Sequence, residues 1–392
     1  MEMENTVLVI YLSPYNGLAS STMRTLGMIK GLVDNGYCVD LLTIGFKSDK
    51  DNTKRNGYDF LDKVNVILAE TIKPYDQIAS RKKSLKSRFV NNISKIYRLF
   101  FIFGHTERLA KSIDLKQLPR SAYDYAVSVS DPKTSHIALY TLFKQGLHIE
   151  EVIEYWGDPL YGDITLKSIY PKAILKKCEK AMLLQANRIV YTSPFTLKAE
   201  QRIYPELSDR MYFVPTAVIE EKIYTKEKKT GRFTIGYYGA YLSNVRNIIP
   251  LYNACSKLEN RVQLNIIGDT DIHLEEKENI LVKSRGDVEE YERNTDLLVC
   301  ILNLTGTQIP GKLYYNAATN LPVLVILDGD NELKDELRHF LEEFNRYYLC
   351  ENNEEAILKA IEWLLNNERE WKPCEALSAR TVASRIIDKV DE

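Results

Sequence analysis

Short, continuous apolar runs alternate along the chain with longer stretches in which apolar residues recur every three or four positions. The first run spans residues 6–12, and a helical pattern with Met23, Leu26 and Ile29 separates it from a second run at Cys38–Ile44. Continuous runs are typical of strands that a parallel sheet buries on both faces, and the three-and-four spacing is typical of helices packed on that sheet. The opening therefore predicts a strand–loop–helix–strand unit.

The same alternation continues through the chain and is interrupted once. Further strands are predicted at residues 64–69, 123–130, 152–155, 188–192, 211–215, Phe233–Tyr238, Val262–Ile267, 280–282, 296–302, Val323–Leu327 and 347–350. The interruption, residues 219–232, is charged without a sustained apolar face, which is typical of a linker. We therefore predict an α/β protein with two domains, residues 1–218 and 233–372, and a cleft between them. A last helix, starting at Pro373 within residues 373–392, is expected to pack back on the first domain.

Composition places the chain among globular proteins and removes several function classes. With 392 residues, 45% of them hydrophobic and 27% charged, it is long enough for two domains. A net charge of -2 gives no electrostatic reason to expect nucleic acid as a partner. The six cysteines are far apart and no Cys-x-x-Cys or His-x-x-x-His pair indicates a metal site, so no metal is expected. The N-terminus lacks the basic residues of a signal peptide and no apolar run reaches about 18 residues, which predicts a cytoplasmic location.

One segment, from Arg81 to Phe103, differs from the rest in composition. Between Arg81 and Arg98 it contains seven basic residues and no acidic one, and an apolar run ending at Phe103 follows. Leu85 and Phe89 belong to an apolar series at helical spacing, which predicts an amphipathic helix. Such a helix either lies on the anionic inner face of a cell membrane, which would make the protein peripheral there, or packs into its own domain with its basic residues in solvent.

The loop after the first predicted strand is a candidate ligand-binding loop, because open parallel sheets bind ligands at the carboxyl ends of their strands. It holds Gly17, and Ser20 and Ser21 are candidate N-caps of the next helix. Arg24 lies in the first turn of that helix, where it either reaches a bound anion or is an ordinary surface arginine. The glycine spacing differs from the Gly-x-Gly-x-x-Gly fingerprint, so a nicotinamide cofactor is not expected.

A second candidate corner follows the fifth predicted strand, where Trp156 and Asp158 stand. Asp158 is placed to act as a general base or to bind a sugar hydroxyl, or else it caps the turn before the following proline. Asp131 opens the helix after the fourth strand, and His136 lies within that helix, where a structural role is the stronger interpretation.

The most informative stretch is 305–326 in the second domain. It predicts a loop, a short helix with Pro310 in its first turn and Lys312 at its start, a left-handed C-cap at Asn320, and a buried strand. A helix start exposes free backbone N–H groups and a partial positive charge, so it binds anions, and a lysine strengthens a phosphate site. The alternative is an ordinary connection with a solvated lysine.

A second arrangement of this kind precedes it in the same domain. The strand Phe233–Tyr238 ends at Gly239, and the next loop leads to Arg246 and Asn247. Because Pro250 cannot lie deep inside a helix, the helix is predicted to start just before it, with Asn247 as its N-cap. This places Arg246 at a helix N-terminus that faces a glycine-ended strand, which favours anion binding.

Five segments share their order and spacing with a known family. They are MRTLGMIKGLVDNGYCVDLLT after Gly17, NVRNIIPLYNA after Gly239, IIGD ending at Asp269, DVEEYERNTDLLV from Asp287, and QIPGKLYYNAATNLPVLVI from Gln308. Together they resemble glycosyltransferases of the GT-B fold, specifically the family 4-like group of the bacterial surface-polysaccharide type. The resemblance covers most of the chain and implies two Rossmann-like domains that face a central cleft.

The resemblance also implies an activity and a set of residue roles. A nucleotide-sugar donor would be held mainly by the second domain and a glycan or lipid-linked acceptor by the first, with neither metal ion nor cofactor. The implied catalytic residues are Asp158, Arg246 and Lys312. The implied donor-binding residues are Gly239, Arg246, Asn247, Gly268, Thr307, Gln308, Ile309, Pro310, Gly311, Lys312 and Tyr315. The implied acceptor-binding residues are Gly17, Ser20, Ser21, Arg24, Asp131, His136 and Trp156.

The chain departs from the family at two positions. The family has two glutamates around this loop, the second contacting the nucleotide ribose, and Thr307 and Tyr315 stand at those positions here. Gln308 and Asn316 are nearby polar groups that substitute for them in one interpretation. The leading hypothesis is a metal-independent glycosyltransferase of the hexosyltransferase class. The alternative is a non-catalytic GT-B subunit that binds and positions a partner glycosyltransferase, and an epimerase on the same fold is a third option.

Overall fold

The computed structural model describes residues 5–17, 19–44, 58–69, 102–103, 106–164, 166, 168–225, 231–367 and 369–388. The predicted amphipathic helix between Arg81 and Phe103 lies outside the described residues except for its last two positions. The chain forms two compact units, here called unit 1 (Met1–Ile219 with Ala379–Glu392) and unit 2 (Glu220–Ser378). None of the helices described has the length and apolarity that a membrane crossing requires.

Unit 1 contains a parallel sheet of seven strands in the order β3-β2-β1-β4-β5-β6-β7. The strands are β1 (Thr6–Pro14), β2 (Cys38–Ile44), β3 (Asn65–Ala69), β4 (Ala122–Val129), β5 (His148–Trp156), β6 (Arg188–Tyr191) and β7 (Met211–Phe213). The order reverses beside β1, which is the switch point at which doubly wound sheets bind ligands.

Among the residues described in unit 1, five α-helices connect these strands: α1 (Ser20–Asp34), α2 (Thr106–Ser112), α3 (Thr134–Lys144), α4 (Lys172–Leu183) and α5 (Pro194–Ile203). The helix predicted at residues 169–186 is shorter than expected, because Pro171 at its N-cap has an extended backbone (φ -53°, ψ 141°). The predicted N-caps of α1 are also wrong, since Ala19 occupies that place without a side-chain hydrogen bond and Ser20 begins the helix.

The central strand β1 is buried on both faces, as its continuous apolar run predicts. Leu8 and Ile10 pack into one hydrophobic cluster, and Val7 and Val9 pack into another on the opposite face, all four with no solvent exposure. Since neither face of β1 is open to water, polar groups at the centre of this sheet reach solvent at the strand ends and loops.

Unit 2 repeats the design with six parallel strands in the order β10-β9-β8-β11-β12-β13. They are β8 (Phe233–Tyr238), β9 (Val262–Ile267), β10 (Ile280–Lys283), β11 (Leu297–Ile301), β12 (Val323–Leu327) and β13 (Tyr348–Glu351). The helices are α6 (Ile249–Ser256), α7 (Glu289–Arg293), α8 (Gly311–Ala317), α9 (Asn331–Glu342) and α10 (Glu354–Asn366). The predicted fold class, α/β with two Rossmann-like halves, is confirmed.

The start of the predicted linker forms part of unit 2. Lys222 bridges to Thr319 as a parallel β-bridge, and the side chain of Asn320 bonds both the N–H and the C=O of Tyr224, at 2.9 and 3.1 Å. The left-handed C-cap expected at Asn320 is therefore wrong: α8 ends earlier, with Ala318 as its C-cap. An amide side chain suits this clamp because it carries both a donor and an acceptor.

The last helix, α11 (Ala379–Ile387), packs against α1 in unit 1. It starts later than the predicted Pro373, because Ser378 is extended (φ -59°, ψ 147°). A Cβ on Gly31 of α1 would lie 1.9 Å from the carbonyl oxygen of Ala379, so only glycine permits this approach. Buried Arg188 donates to the carbonyls of Ile386 and Ile387 at 2.7 Å each, and satisfies the end of the helix.

Replacing Arg188 by alanine should loosen α11 from unit 1. The change leaves the two carbonyls at the end of α11 without donors and removes the 2.7 Å ion pair with Glu151. We expect a loss of about 2–4 kcal/mol in the free energy of unfolding, measured by urea denaturation. Arg380→Ala on the exposed side of α11 is the control and should change little; equal midpoints for the two variants would contradict the role of Arg188.

Candidate functional site

Four loops of unit 2 meet at the carboxyl ends of the strands. The N–H of Leu304, after β11, donates to the carbonyl of Val245, after β8, at 2.8 Å. The Nδ2 group of Asn352, after β13, donates to the carbonyl of Asn247 at 2.9 Å and to the carboxylate of Asp328, after β12, at 2.5 Å. These bonds fix one continuous edge, which is where open parallel sheets bind their ligands.

The loops after β8 and β9 touch at two predicted site glycines, Gly239 and Gly268. A Cβ on Gly268 would lie 1.9 Å from the carbonyl oxygen of Gly239, so the residue after β9 must be glycine for this packing. A Cβ on Gly239 itself would meet no heavy atom closer than 3.9 Å. The two predicted site glycines therefore differ: Gly268 allows a close backbone contact, and Gly239 faces open space.

Arg246 and Asn247 stand in the loop before α6. The side chain of Asn247 accepts a hydrogen bond from the N–H of Ile249 at 3.1 Å, although Ile248 occupies the N-cap place. The guanidinium of Arg246 donates to the carbonyl of Ala240 at 3.0 Å, and its buried Nε atom has no hydrogen-bond partner in the described part of the chain.

Lys312 lies in the first turn of α8, directly after Pro310 and Gly311. Its ammonium is 3.3 Å from Oε1 of Glu292, and Lys222 lies 2.8 Å from Oε2 of the same carboxylate. Burial alone would raise the pKa of Glu292, but the two lysines hold it below its ordinary value. One buried negative charge is therefore shared by two positive charges, and this cluster is net positive.

The cations Arg246 and Lys312 both act on the pKa of Cys300, a buried residue of β11. Burial raises the pKa of the Cys300 thiol to about 11, and both cations act on it in the opposite direction. Strands β8 and β11 are neighbours in the sheet, so the loop that carries Arg246 and the helix that carries Lys312 follow adjacent strand ends. Guanidinium and ammonium groups in this arrangement suit a bound phosphate or diphosphate.

The loop between β11 and α8 carries the remaining predicted donor residues. Buried Asn303 donates from Nδ2 to the carbonyl of Gln308 at 2.9 Å, which shapes the loop, and Gly306 adopts a left-handed backbone (φ 86°). Half-exposed side chains line it at Thr307, Gln308, Ile309 and Pro310, and Tyr315 is half-exposed on α8.

Sequence reasoning missed several polar residues at this edge or beside it. Asp328 and Asn352 directly follow β12 and β13, and Asn303 is the second residue after β11; that position was the available signal. Glu292 gave no such signal, because it belongs to α7 and meets Lys312 only through the tertiary fold.

The carboxyl edge of unit 1 brings the predicted Arg24 inward. Arg24 is buried, donates to the carbonyl of Ser130, and lies 5.6 Å over the ring of Tyr155. A Cβ on Gly157 would overlap its guanidinium. In the loop before α1, Gly17 donates from its backbone to Pro14 at 3.3 Å, and the Ser21 hydroxyl lies 3.0 Å from the Tyr11 hydroxyl.

Asp158 and Asp131 lie in a cluster of charges around Lys133. The Lys133 ammonium is 2.6 Å from Asp131 and 3.8 Å from Asp163. Burial alone would lower the pKa of Lys133, but these acids raise it to about 12. Burial, and then the charge of Asp131, raises the pKa of Asp158 to about 6. A carboxyl group that titrates there is suited to accept a proton near neutral pH.

The predicted acceptor residues His136 and Trp156 are buried below the surface of this edge. Both are buried, and their rings stack at 4.3 Å. The Nδ1 atom of His136 is 2.7 Å from the Ser128 hydroxyl, and the indole of Trp156 donates to Glu154 at 3.0 Å. Burial lowers the pKa of His136 to about 3, so its ring is neutral at physiological pH.

Within the ranges described, no group of three or more His, Cys, Asp or Glu side chains is placed to hold a metal ion.

Comparison with known proteins gives structural matches alone. No family model and no curated protein matches the chain. The catalytic domain of Starch Synthase IV from Arabidopsis thaliana, bound to ADP and acarbose, has a TM-score of 0.61 at 9% identity, over 97% of this chain and 96% of that one. A variant of TarM from S. aureus, in complex with Fondaparinux, alpha-GlcNAc-glycerol and UDP, has a TM-score of 0.55 at 14% identity, over 98% and 95%. A glycosyltransferase from Rickettsia africae has a TM-score of 0.52 at 13% identity, over 98% and 92%.

These structures are GT-B glycosyltransferases, and the chain has their fold along almost its whole length. The GT-B fold expected from the five sequence segments is thus confirmed.

The two site glycines should respond differently to a methyl group. Gly268→Ala would force the loops after β8 and β9 apart, and we expect it to lower the free energy of unfolding by about 2–4 kcal/mol. Gly239→Ala has space for its Cβ and should cost less than about 1 kcal/mol, which makes it the matched control. Urea denaturation measures both, and a Gly268→Ala protein as stable as the wild type would contradict the contact.

Asp158 should make stability depend on pH in the acid range. Its raised pKa means that the folded state holds the proton more tightly, so this contribution is complete below the ordinary carboxyl pKa and is lost as pH rises through about 6. Asp158→Asn keeps the neutral form. We expect the variant to gain about 1–2 kcal/mol relative to wild type between about pH 4 and pH 8, measured by urea denaturation.

Exposed Asp209→Asn is the control for the loss of one carboxylate. Parallel stability profiles for wild type and Asp158→Asn would show that Asp158 does not titrate in this range.

Proposed function

We propose that the protein is a glycosyltransferase that moves a sugar from a nucleotide-sugar donor to a glycan or lipid-linked acceptor in cell-surface polysaccharide synthesis. The observation that supports it best is the position of Arg246 and Lys312 after the neighbouring strands β8 and β11, at the carboxyl edge of unit 2, in a chain with the GT-B fold. Among the similar structures, Starch Synthase IV is bound to ADP and the TarM variant to UDP. A nucleoside diphosphate is the leaving group that such a pair of cations would stabilise.

The proposed chemistry needs positive charge where the donor breaks. Cleavage of the anomeric C–O bond leaves an oxocarbenium-like sugar and a nucleoside diphosphate. Arg246 from the β8 loop and Lys312 from α8 would bind that diphosphate, and the backbone of residues 307–311 would line it. Because the single carboxylate of Glu292 is shared by Lys222 and Lys312, it does not neutralise both ammonium groups, and positive charge is left for the donor. No metal ion or cofactor enters this mechanism.

The acceptor would bind at the carboxyl edge of unit 1. Asp158, whose pKa is raised to about 6, would be mostly ionised at neutral pH and would take the proton of the attacking hydroxyl. Lys133 and Asp131 form an ion pair whose charges act on Asp158, and Arg24 donates to the carbonyl of Ser130 after β4. Catalytic roles are proposed for Asp158, Arg246 and Lys312.

A non-catalytic subunit with the GT-B fold is the second candidate. It is favoured by Thr307 and Tyr315 at the positions of the two family glutamates, since neither side chain supplies a carboxylate. Such a subunit would bind and position a partner glycosyltransferase without binding a donor.

Lys312→Ala should separate the two candidates. We expect wild-type protein to bind or turn over at least one member of a panel of UDP-, ADP- and GDP-sugars, measured by thermal shift and by nucleoside diphosphate release. Loss of the Lys312 ammonium should lower kcat/KM by roughly 100-fold or more. Folding should persist, because Glu292 keeps its ion pair with Lys222.

The comparison variant is Lys222→Ala, which removes the other cation on the same carboxylate and should lower turnover less than Lys312→Ala does, because Lys312 itself stays in place for the donor. Failure of the whole panel in binding and turnover would reject the glycosyltransferase proposal. A stable partner protein in pull-downs, together with no donor binding, would support the non-catalytic subunit.

A further inference from the structure

Helix α4 and the turn before it present a mixed aliphatic and basic surface in unit 1. Ile169, Ile174 and Leu184 are 57%, 41% and 50% exposed, and they are the large aliphatic side chains with high exposure in the described part of this unit. Burying such side chains is worth roughly 1.5–3 kcal/mol each, so three of them on one surface favour a partner.

The lysines of α4 reach solvent, and its one acid is buried. Its four lysines are Lys172, Lys176, Lys177 and Lys180, and its one acid, Glu179, has no solvent exposure. The carboxylate of Glu179 faces inward, where it accepts from the Tyr204 hydroxyl at 2.9 Å. Glu206 pairs with Lys180 at 2.5 Å, and the Lys172 ammonium donates to the carbonyl of Tyr161 at 2.8 Å. Lys176, whose ammonium lies 5.6 Å from the centre of the Tyr204 ring, and Lys177 are the exposed lysines used below.

Four of the exposed positions form one stripe. Ile174, Lys177, Ala181 and Leu184 are exposed and follow steps of three and four residues, which places them along one side of the helix. The stripe is about 15 Å long, since each residue rises about 1.5 Å. Lys176 is exposed next to it.

We propose that this surface, formed by Ile169, Ile174, Leu184, Lys176 and Lys177 and called the α4 surface below, docks on an anionic lipid bilayer. Aliphatic side chains would enter the boundary between headgroups and acyl chains, and the lysine stems would run beside them with the ammonium groups on lipid phosphates. The positive charge favours an anionic partner, and the aliphatic side chains favour lipid over a purely polar one. The segment from Arg81 to Arg98 is itself basic, so charge disfavours it as the occupant.

Docking there would bring the candidate acceptor site to the membrane. The N–H groups of Leu160 and Tyr161, in the loop that carries Asp158, both donate to Glu179 on the inner side of α4. The helix with the α4 surface therefore also holds the loop at the carboxyl end of β5. This placement suits an acceptor presented by a lipid, while docking itself does not depend on donor turnover.

Vesicle flotation of the full chain tests the proposal. We expect binding to phosphatidylcholine vesicles that contain phosphatidylglycerol, weakened by added salt, and little binding to phosphatidylcholine alone. Lys176→Glu with Lys177→Glu should weaken binding by at least about tenfold. Ile174→Ser with Leu184→Ser should also weaken it, because the aliphatic contact is lost. The matched control, Lys359→Glu with Lys372→Glu, changes the same net charge at exposed sites of unit 2 and should bind like wild type.

A second pair, Arg81→Glu with Lys82→Glu, separates this surface from the basic segment. Weaker binding of both α4 variants, with unfolding midpoints like the wild type, supports the proposal whatever the Arg81 pair does. The proposal is overturned if the α4 variants bind as wild type does, including the case in which the Arg81 pair alone loses binding. It is also overturned if wild-type protein binds no anionic vesicle at low salt, as expected if an acidic protein is the partner.

Discussion

Burial of both parallel sheets on both faces is the constraint on which the rest of the structure depends. All five residues of β12 and five of the nine residues of β1 are aliphatic and at most 1% exposed, so a polar group placed on a sheet face beside them would be buried. The carboxyl ends of the strands are where the backbone leaves the sheet and where side chains from several loops converge. Bonds such as Leu304 to Val245 and Asn352 to Asn247 join those loops into one edge in unit 2.

Two charged groups in this protein, Glu292 and Lys133, each have more than one oppositely charged neighbour. Glu292 is buried, yet its pKa stays low because Lys312 and Lys222 both contact it. A buried carboxylate with one lysine would leave that lysine largely neutralised, and the second lysine leaves the cluster positive. The same principle operates around Lys133 in unit 1, where three carboxylates raise the pKa of one ammonium.

A second group of acids in unit 1 is retained without such partners. Burial raises the pKa of Glu154 to about 8 and, together with Glu179, that of Glu200 to about 9. These carboxyl groups are mostly neutral at physiological pH, and a neutral carboxyl can donate as well as accept a hydrogen bond. Their cost is a stability that falls as pH rises toward those values. Burial also raises the pKa of Glu179, whose carboxylate accepts hydrogen bonds from Leu160 and Tyr161 and so stabilises the loop that carries Asp158.

The order of strands and helices was determined by the sequence alone, because hydrophobic periodicity directly reflects which side of an element is buried. The same local signals placed Arg246 and Asn247 in a loop after a strand and Lys312 at the start of a helix. Local signals predict the ends of elements less well. The extended backbone at Pro171 shortens one predicted helix, and the extended backbone at Ser378 delays the start of another.

The tertiary structure alone decided which distant groups meet. Nothing near Lys312 in the sequence indicates Glu292 as its partner, and nothing near Arg24 indicates that it turns inward to Ser130. His136 of α3 and Trp156 of β5 are likewise buried against each other, a contact that only the tertiary structure shows. A periodic pattern identifies the buried face of an element but not the residues that it will contact, and burial, ion pairing and pKa all arise from those contacts.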